Sequence, residues 1–368
     1  MKTNQLIKHI TSVVLIGFML FTCMSLVGLN REDSYGAAEK TATIYVTMSV
    51  KGDIAVADGK VMAEVPVKVK TADGMTTIDA VMEAFHEEYK PDGYLCDQFV
   101  SKLWGIETSN TLFFINNLSI TSGVKSEPVK NGDRIIASVN ADDKYYSDYF
   151  SYFGKTAITG ITGGFVTLCL QGFMGMTQNA DPQVIPNAEL GIVSEDGFQK
   201  LDGIVTDQDG KVIIQLDKDT FQAGKTYYLS ARGTVPTTAT DWNTAGNPAV
   251  NVDAPLIAPI CKITVDSMVA AGVKATRITH LKSKASKGKV TLTWKKTKGY
   301  KADGYQIYRS VKKDGVYRSI GKTTAKKYTN SSSLKKGTRY YYKVRGYRMM
   351  DKKIVYTKWS QIVSAKAK

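Results

Sequence analysis

Residues Val290-Thr291-Leu292-Thr293-Trp294, Gly304-Tyr305-Gln306-Ile307-Tyr308-Arg309-Ser310 and Leu334-Lys335-Lys336-Gly337-Thr338-Arg339-Tyr340-Tyr341-Tyr342-Lys343-Val344 decide how this chain is read. In each run apolar or aromatic side chains alternate with polar ones, the period of a strand with one face in a core and the other in water. Val290, Leu292 and Trp294 share one face, Tyr305 and Ile307 another, and Tyr340, Tyr342 and Val344 a third. Alternating runs separated by turn-rich spacers predict a sandwich of about seven strands.

Taken together, these runs are similar to a fibronectin type III domain, covering 275–368. Trp294 matches the buried tryptophan of that family, Leu334 and Tyr340 its tyrosine corner, and Trp359-Ser360 the opening of its last strand. No Arg-Gly-Asp tripeptide occurs, so an integrin-type reading has no support.

Charge separates this segment from the rest. The whole chain has 368 residues and a net charge of +15, but 275–368 holds 27 basic and 3 acidic residues, against 11 and 16 in 40–154 and 7 and 12 in 155–273. The three nets are +24, −5 and −5. If Tyr340, Tyr342 and Val344 point inward, Arg339, Tyr341, Lys343 and Arg345 point outward along the same strand, with Tyr308 outward on its neighbour. Cations interleaved with rings suit a polyanion, through Coulomb attraction, counterion release and cation–π contacts. The plainer alternative is that the lysines keep the sandwich soluble and blunt its edges, although +24 exceeds the ~2 to 8 that solubility asks for.

Segment 40–154 opens with alternation at Ile44, Val46, Met48 and Val50 and again at Val65, Val67 and Val69, which predicts a pair of strands. Thr77 can cap a helix whose apolar stripe is Ile78, Val81, Met82, Phe85 and Tyr89, and two more strands follow at Leu112–Ile115 and Arg134–Val139. Strand, strand, helix, strand, strand predicts a β-grasp-like α+β domain. The runs Thr77-Ile78-Asp79-Ala80, Lys102-Leu103-Trp104-Gly105-Ile106 and Phe114-Ile115-Asn116-Asn117, with Gly132-Asp133, resemble the C-terminal domain of transcobalamins. That resemblance implies the fold and, as a weaker carry-over, a small-ligand cleft using Trp104, Phe114 and Asn116. Core packing is the plainer reading of those rings.

Segment 155–270 follows an aromatic stretch, Tyr145 to Phe153, read either as packing between adjoining domains or as sugar stacking. Its short strands (165–170, 188–193, 203–206, 211–216, 227–231 and 261–265) predict a second β-sandwich. Asp207-Gln208-Asp209-Gly210 has Lys218 where a calcium loop needs Glu, so Asp209-Gly210 reads as a hairpin turn instead. Pro186-Asn187-Ala188 through Lys211-Val212 and Gly224-Lys225-Thr226-Tyr227-Tyr228 resemble the prealbumin-like repeats of Gram-positive surface proteins.

At the N-terminus, Lys2 and Lys8 precede an apolar run from Ile10 to Leu29, and Gly36-Ala37-Ala38 offers small residues, so 1–38 reads as an export signal cut after Ala38 or retained as a membrane anchor. Beyond it, Cys96, Cys169 and Cys261 form no zinc pattern; Cys169 and Cys261 are read either as one disulfide or as two buried thiols.

Chemistry is scarce. There is no phosphate loop, GxSxG, HExxH or dinucleotide fingerprint, and outside the leader the only histidines are His86, read as lying on a solvated helix face, and His280. No metal or cofactor site is expected, and an enzyme is not. The sequence therefore points to a secreted or cell-surface binding or adhesion protein, held at the envelope by its basic last domain. The partners it implies are anionic envelope polymers (teichoic acid or an acidic glycan), or another surface protein or glycan; nucleic acid is not among them, and a membrane enters only through an uncleaved leader. The alternatives are a corrinoid carrier and a carbohydrate-binding accessory protein.

Overall fold

The computed structural model describes residues 40–71, 73–177, 180–296, 300–350 and 353–368; the segment read as an export signal or anchor, with Ala38, lies outside them. The protein is mainly β and multidomain, an α+β domain of β-grasp type followed by two β-sandwiches.

The first domain is built from β1 (Lys40–Val50), β2 (Val65–Thr71), α1 (Ile78–Tyr89), β3 (Thr111–Ile115) and β4 (Arg134–Val139). β1 runs antiparallel to β2 and parallel to β4, so its first and last long strands lie side by side at the centre of the sheet. α1 begins where Thr77 Oγ1 accepts the Ala80 N–H at 3.3 Å, with Asp79 in the positive first turn. Its buried face of Ile78, Val81, Met82 and Phe85 packs in one core with Ile44, Val46 and Met48.

Alternation leaves the opposite face of β1 to solvent, yet Thr47 and Ser49 are buried. The second domain covers them. Ser49 Oγ accepts the Ala258 N–H at 3.2 Å, which offsets the cost of burying the hydroxyl. Beside it Phe114 and Ile136 of the first domain join Phe150, Phe173 and Ile257 of the second in one apolar cluster, with the Phe114 and Phe150 rings stacked 3.7 Å apart.

The second domain is a sandwich of β5 (Tyr149–Phe153), β6 (Ala157–Ile161), β7 (Phe165–Met174), β8 (Glu189–Ser194), β9 (Gly197–Val205), β10 (Lys211–Gln215), β11 (Thr226–Arg232), β12 (Thr234–Thr240), β13 (Ala249–Ile257) and β14 (Cys261–Asp266). One sheet runs β10-β7-β5-β13-β12 and the other β6-β14-β11-β8-β9. The aromatic stretch supplies β5: Tyr149 and Phe153 enter the sandwich core while Phe150 turns to the first domain. Asp207 Oδ1 accepts the Asp209 and Lys211 N–H groups, and Gly210 takes φ 67°, as a tight turn requires. That turn is not a hairpin, because β9 pairs with β8 and β10 with β7, so the chain crosses there from one sheet to the other.

After the short helix α2 (Met268–Ala275), the last domain comprises β15 (Ile278–Ser286), β16 (Lys289–Lys296), β17 (Gly304–Ser310), β18 (Arg318–Thr323), β19 (Lys327–Asn330), β20 (Arg339–Met350), β21 (Lys353–Tyr356) and β22 (Val363–Lys366). The three-stranded sheet β15-β16-β19 faces the sheet β18-β17-β20, with β21 and β22 both paired to β20. Between them lie Val290, Leu292, Trp294, Tyr305, Ile307, Tyr340, Tyr342 and Val344. The tyrosine corner is formed: Tyr340 Oη accepts the Lys335 N–H at 2.9 Å and donates to the Ser333 carbonyl at 3.4 Å. β22 starts later than the sequence predicts, at Val363. Trp359-Ser360 lies in an extended segment before it, tied to β20 by the Ser360 N–H on the Val344 carbonyl (2.8 Å) and the Val344 N–H on Ser360 Oγ (3.0 Å).

Candidate functional site

β17 and β20 are antiparallel neighbours, and their register sets Tyr308 opposite Lys343, Gln306 opposite Arg345 and Ser310 opposite Tyr341. Alternation along β20 sends Tyr340, Tyr342 and Val344 inward, so Arg339, Tyr341, Lys343 and Arg345 share the outer face with Tyr308, as the sequence predicts.

The geometry on that face differs from a row of free cations. The Lys343 ammonium lies 4.5 Å from the centres of both the Tyr317 and Trp359 rings. The Arg345 guanidinium sits 3.6 Å from the Tyr356 ring, 4.6 Å from Trp359 and 5.7 Å from Tyr308, and its Nε donates to Gln306 Oε1 at 3.0 Å. Tyr308 meets Trp359 edge to face at 4.9 Å. The result is a ladder, Tyr317, Lys343, Trp359, Arg345, Tyr356, each rung worth about 0.5–1 kcal/mol. Two of the three cations predicted to meet a polyanion are thus already engaged by the protein's own rings. At the far end Arg339 is exposed and donates to Ser364 Oγ at 3.1 Å, and Tyr341 is half-buried.

The cleft proposed in the first domain is not formed. Phe114 is wholly buried in the cluster shared with the second domain, whereas Trp104 packs on α1 across the sheet, against Phe85 and His86. Successive residues of a strand point to opposite faces, and Phe113, not Phe114, shares the core beneath Trp104. Asn116 occupies a turn at φ 52°, its Nδ2 donating to Asp133 Oδ1 and its Oδ1 accepting the Arg134 N–H, both at 3.0 Å. His86 is not on a solvated face either: it is 2% exposed. Its Nδ1 donates to the Met82 carbonyl at 2.8 Å and its Nε2 accepts the Trp104 N–H at 3.3 Å, so the ring is neutral. Burial holds its pKa below the ordinary value.

Cys169 and Cys261 are both free, not bridged. Leu168 and Leu170 take the inward positions of β7, so Cys169 points out of the sandwich, where its thiol faces the Asp209 carbonyl at 3.7 Å. Cys261 lies in the core, and burial pushes its thiol up to about 12. Among the described residues no group of three His, Cys, Asp or Glu side chains is arranged to hold a metal ion.

Sequence reasoning missed the hairpin β12–β13. Between its strands Trp242 is 61% exposed, in a loop closed by Asp241, whose carboxylate accepts the Asn243 N–H (3.0 Å) and the Thr244 hydroxyl (2.9 Å). Asn243 Nδ2 donates to the Lys144 carbonyl at 3.2 Å, and the Lys144 ammonium lies 4.5 Å from the Tyr145 ring. Trp-Asn after a β-prone, threonine-rich run was the available signal.

No family model and no curated protein matches the chain. Solved structures similar to parts of it include a fibronectin type III-like protein from Clostridium thermocellum (26% identity over 24% of this chain and 91% of that one, TM-score 0.20). The fibronectin(III)-like modules of CbhA from the same organism show 14% identity over 59% of this chain and 94% of theirs (TM-score 0.21). A two-domain fibronectin type III segment of chicken tenascin shows 13% identity over 54% and 90% (TM-score 0.22). At such scores it is the chain's own strand pairing that defines its fold, a multidomain β protein ending in a fibronectin type III-like sandwich.

Proposed function

We propose that this is a secreted or cell-surface, non-enzymatic binding protein whose terminal sandwich tethers it to anionic polymers of the envelope, teichoic acid or an acidic glycan. One observation carries the reading: among the described residues, every salt bridge lies before residue 275, although 275–368 has 27 basic residues. Among the described residues that positive charge has no ion-pair partner, so it acts outward, over a range set by ionic strength. The first two domains, joined through an apolar core, form the part held out from the surface. Their β-grasp and sandwich topologies are compatible with the transcobalamin-like and prealbumin-like resemblances and, with them, a Gram-positive envelope. Fractionation with a salt wash tests the tether: the protein is expected with the envelope at low ionic strength and in the wash at high salt. Finding it in the medium at low ionic strength would sink the reading.

A second reading, carbohydrate binding, is favoured by the exposed Trp242, a ring available for stacking on sugar faces. A polysaccharide pull-down in high salt that recovers none of the protein would eliminate it, and recovery that survives Trp242→Ala would take this ring out of it.

A further inference from the structure

The two sheets of the terminal sandwich present different outer faces. On the three-stranded sheet, the inward positions of β16 are Val290, Leu292 and Trp294, so Lys289, Thr291, Thr293 and Lys295 point away from the core. The register places Lys282 and Lys327 on either side of Thr293, Lys284 and Thr329 on either side of Thr291, and Ser286 opposite Lys289. Lys282, Lys284, Lys289, Lys295 and Lys327 are all exposed, and none of them forms a salt bridge among the described residues. Strands about 4.8 Å apart with a repeat of about 6.8 Å on one face root neighbouring lysines roughly 7 to 10 Å from one another on the backbone. That is close to the screening length of about 8 Å at physiological salt, so they repel. The other face spends its cations on Trp359, Tyr317 and Tyr356; on this one the paired outward positions hold only lysine, threonine and serine, and the single exposed ring of β15 is the His280 imidazole, set at the bulge between Thr279 and Lys282.

Each of these lysines stands opposite a threonine or serine and its lysine neighbours are diagonal, next along its own strand or two strands away, so the repulsion is moderate, and a bound chain of opposite sign relieves it. The chemistry of the face says what that chain is. Lysine offers point charges suited to phosphate, the threonine hydroxyls are additional donors, and with no Phe, Tyr or Trp at the paired outward positions the lysine rows offer a nucleobase no stacking platform. We propose that the outer face of β15-β16-β19 binds a flexible, base-free phosphodiester polymer of the poly(glycerol phosphate) type, its phosphates seated between the lysine rows. This rests on the tether reading above and moves its site to the sheet opposite Lys343 and Arg345.

The test is binding of the full-length protein to immobilised poly(glycerol phosphate), compared with two charge-matched variants. One carries Lys→Gln at 282, 284, 289, 295 and 327; the other carries Lys→Gln at the exposed positions 312, 313, 322, 335 and 336 of the same domain. At about 50 mM salt the sheet variant is expected to lose about 100-fold in affinity and to flatten the slope of log K against log salt by about 3, the other variant changing less than about threefold. Equal losses in both variants would overturn the site while leaving the tether intact, since net charge alone would then hold the polymer. Tighter binding of polyuridylate than of poly(glycerol phosphate) would overturn the ligand class. Failure of the unaltered protein to bind any of these polymers at low salt would instead bring down the tether reading itself. Thermal unfolding of either variant no lower than that of the unaltered protein confirms that each loss reports binding; at low salt the sheet variant is expected to unfold slightly higher, its repulsion being gone.

Discussion

The two outer faces of the terminal sandwich both carry cations and use them in opposite ways. On β17 and β20, Lys343 and Arg345 are clamped between rings, so their charge is partly spent on holding the fold. Across the core, five exposed lysines stand opposite threonine and serine and form no salt bridge among the described residues. The difference teaches that a charge count locates neither a binding surface nor a structural one: what a cation's neighbours are decides which it serves.

The contrast can be broken most directly at Trp359, the ring shared by Tyr308, Lys343 and Arg345. Trp359→Ala is expected to cost about 2–3 kcal/mol in the unfolding of the terminal domain, from lost burial and three lost ring contacts. A loss below about 0.5 kcal/mol by calorimetry would mean that the ladder is ornament, and its cations free after all.

Acid separates the domains next. In the first domain the buried, neutral His86 has a pKa depressed below 6.5. Once unfolded it takes up a proton that the folded state resists, so stability is full above pH 6.5 and falls as pH drops below that value, by at most about 1.4 kcal/mol per pH unit. His86→Gln is expected to flatten that slope; an unchanged slope would place the acid sensitivity elsewhere.

Salt gives the smallest effect and the sharpest contrast. Screening relieves repulsion among the five lysines, so the terminal transition is expected to rise by up to about 1 kcal/mol between low and high salt. The rise should shrink in the five-lysine Gln variant and persist in Trp359→Ala. The reverse pattern would exchange the roles of the two faces.

Much of this was legible in the alternation. Val290, Leu292, Trp294, Tyr340, Tyr342 and Val344 enter the core as period two requires, and Thr77 caps its helix. What sequence did not disclose are the contacts between segments. Thr47 and Ser49 have the residue types of a solvated face, but a neighbouring domain covers them. Lys343 and Arg345 look free until Trp359, Tyr317 and Tyr356 arrive from other parts of the chain. Pattern within a strand tells inside from outside, not which outside another element occupies. The lysine face was hidden for a related reason: Lys282, Lys284, Lys289, Lys295 and Lys327 lie on three runs that only strand register aligns.

The cluster joining the first two domains also imposes an order in time. The first domain's apolar outer face, Phe114 and Ile136, is complete once β4 has been made, but its last covering residue, Ile257, comes about 120 residues later. At about 5–20 residues per second, a chain folding as it is made leaves that patch open to water for some 6 to 24 s. Until β13 arrives, a newly made first domain is sticky, a target for any apolar surface it meets.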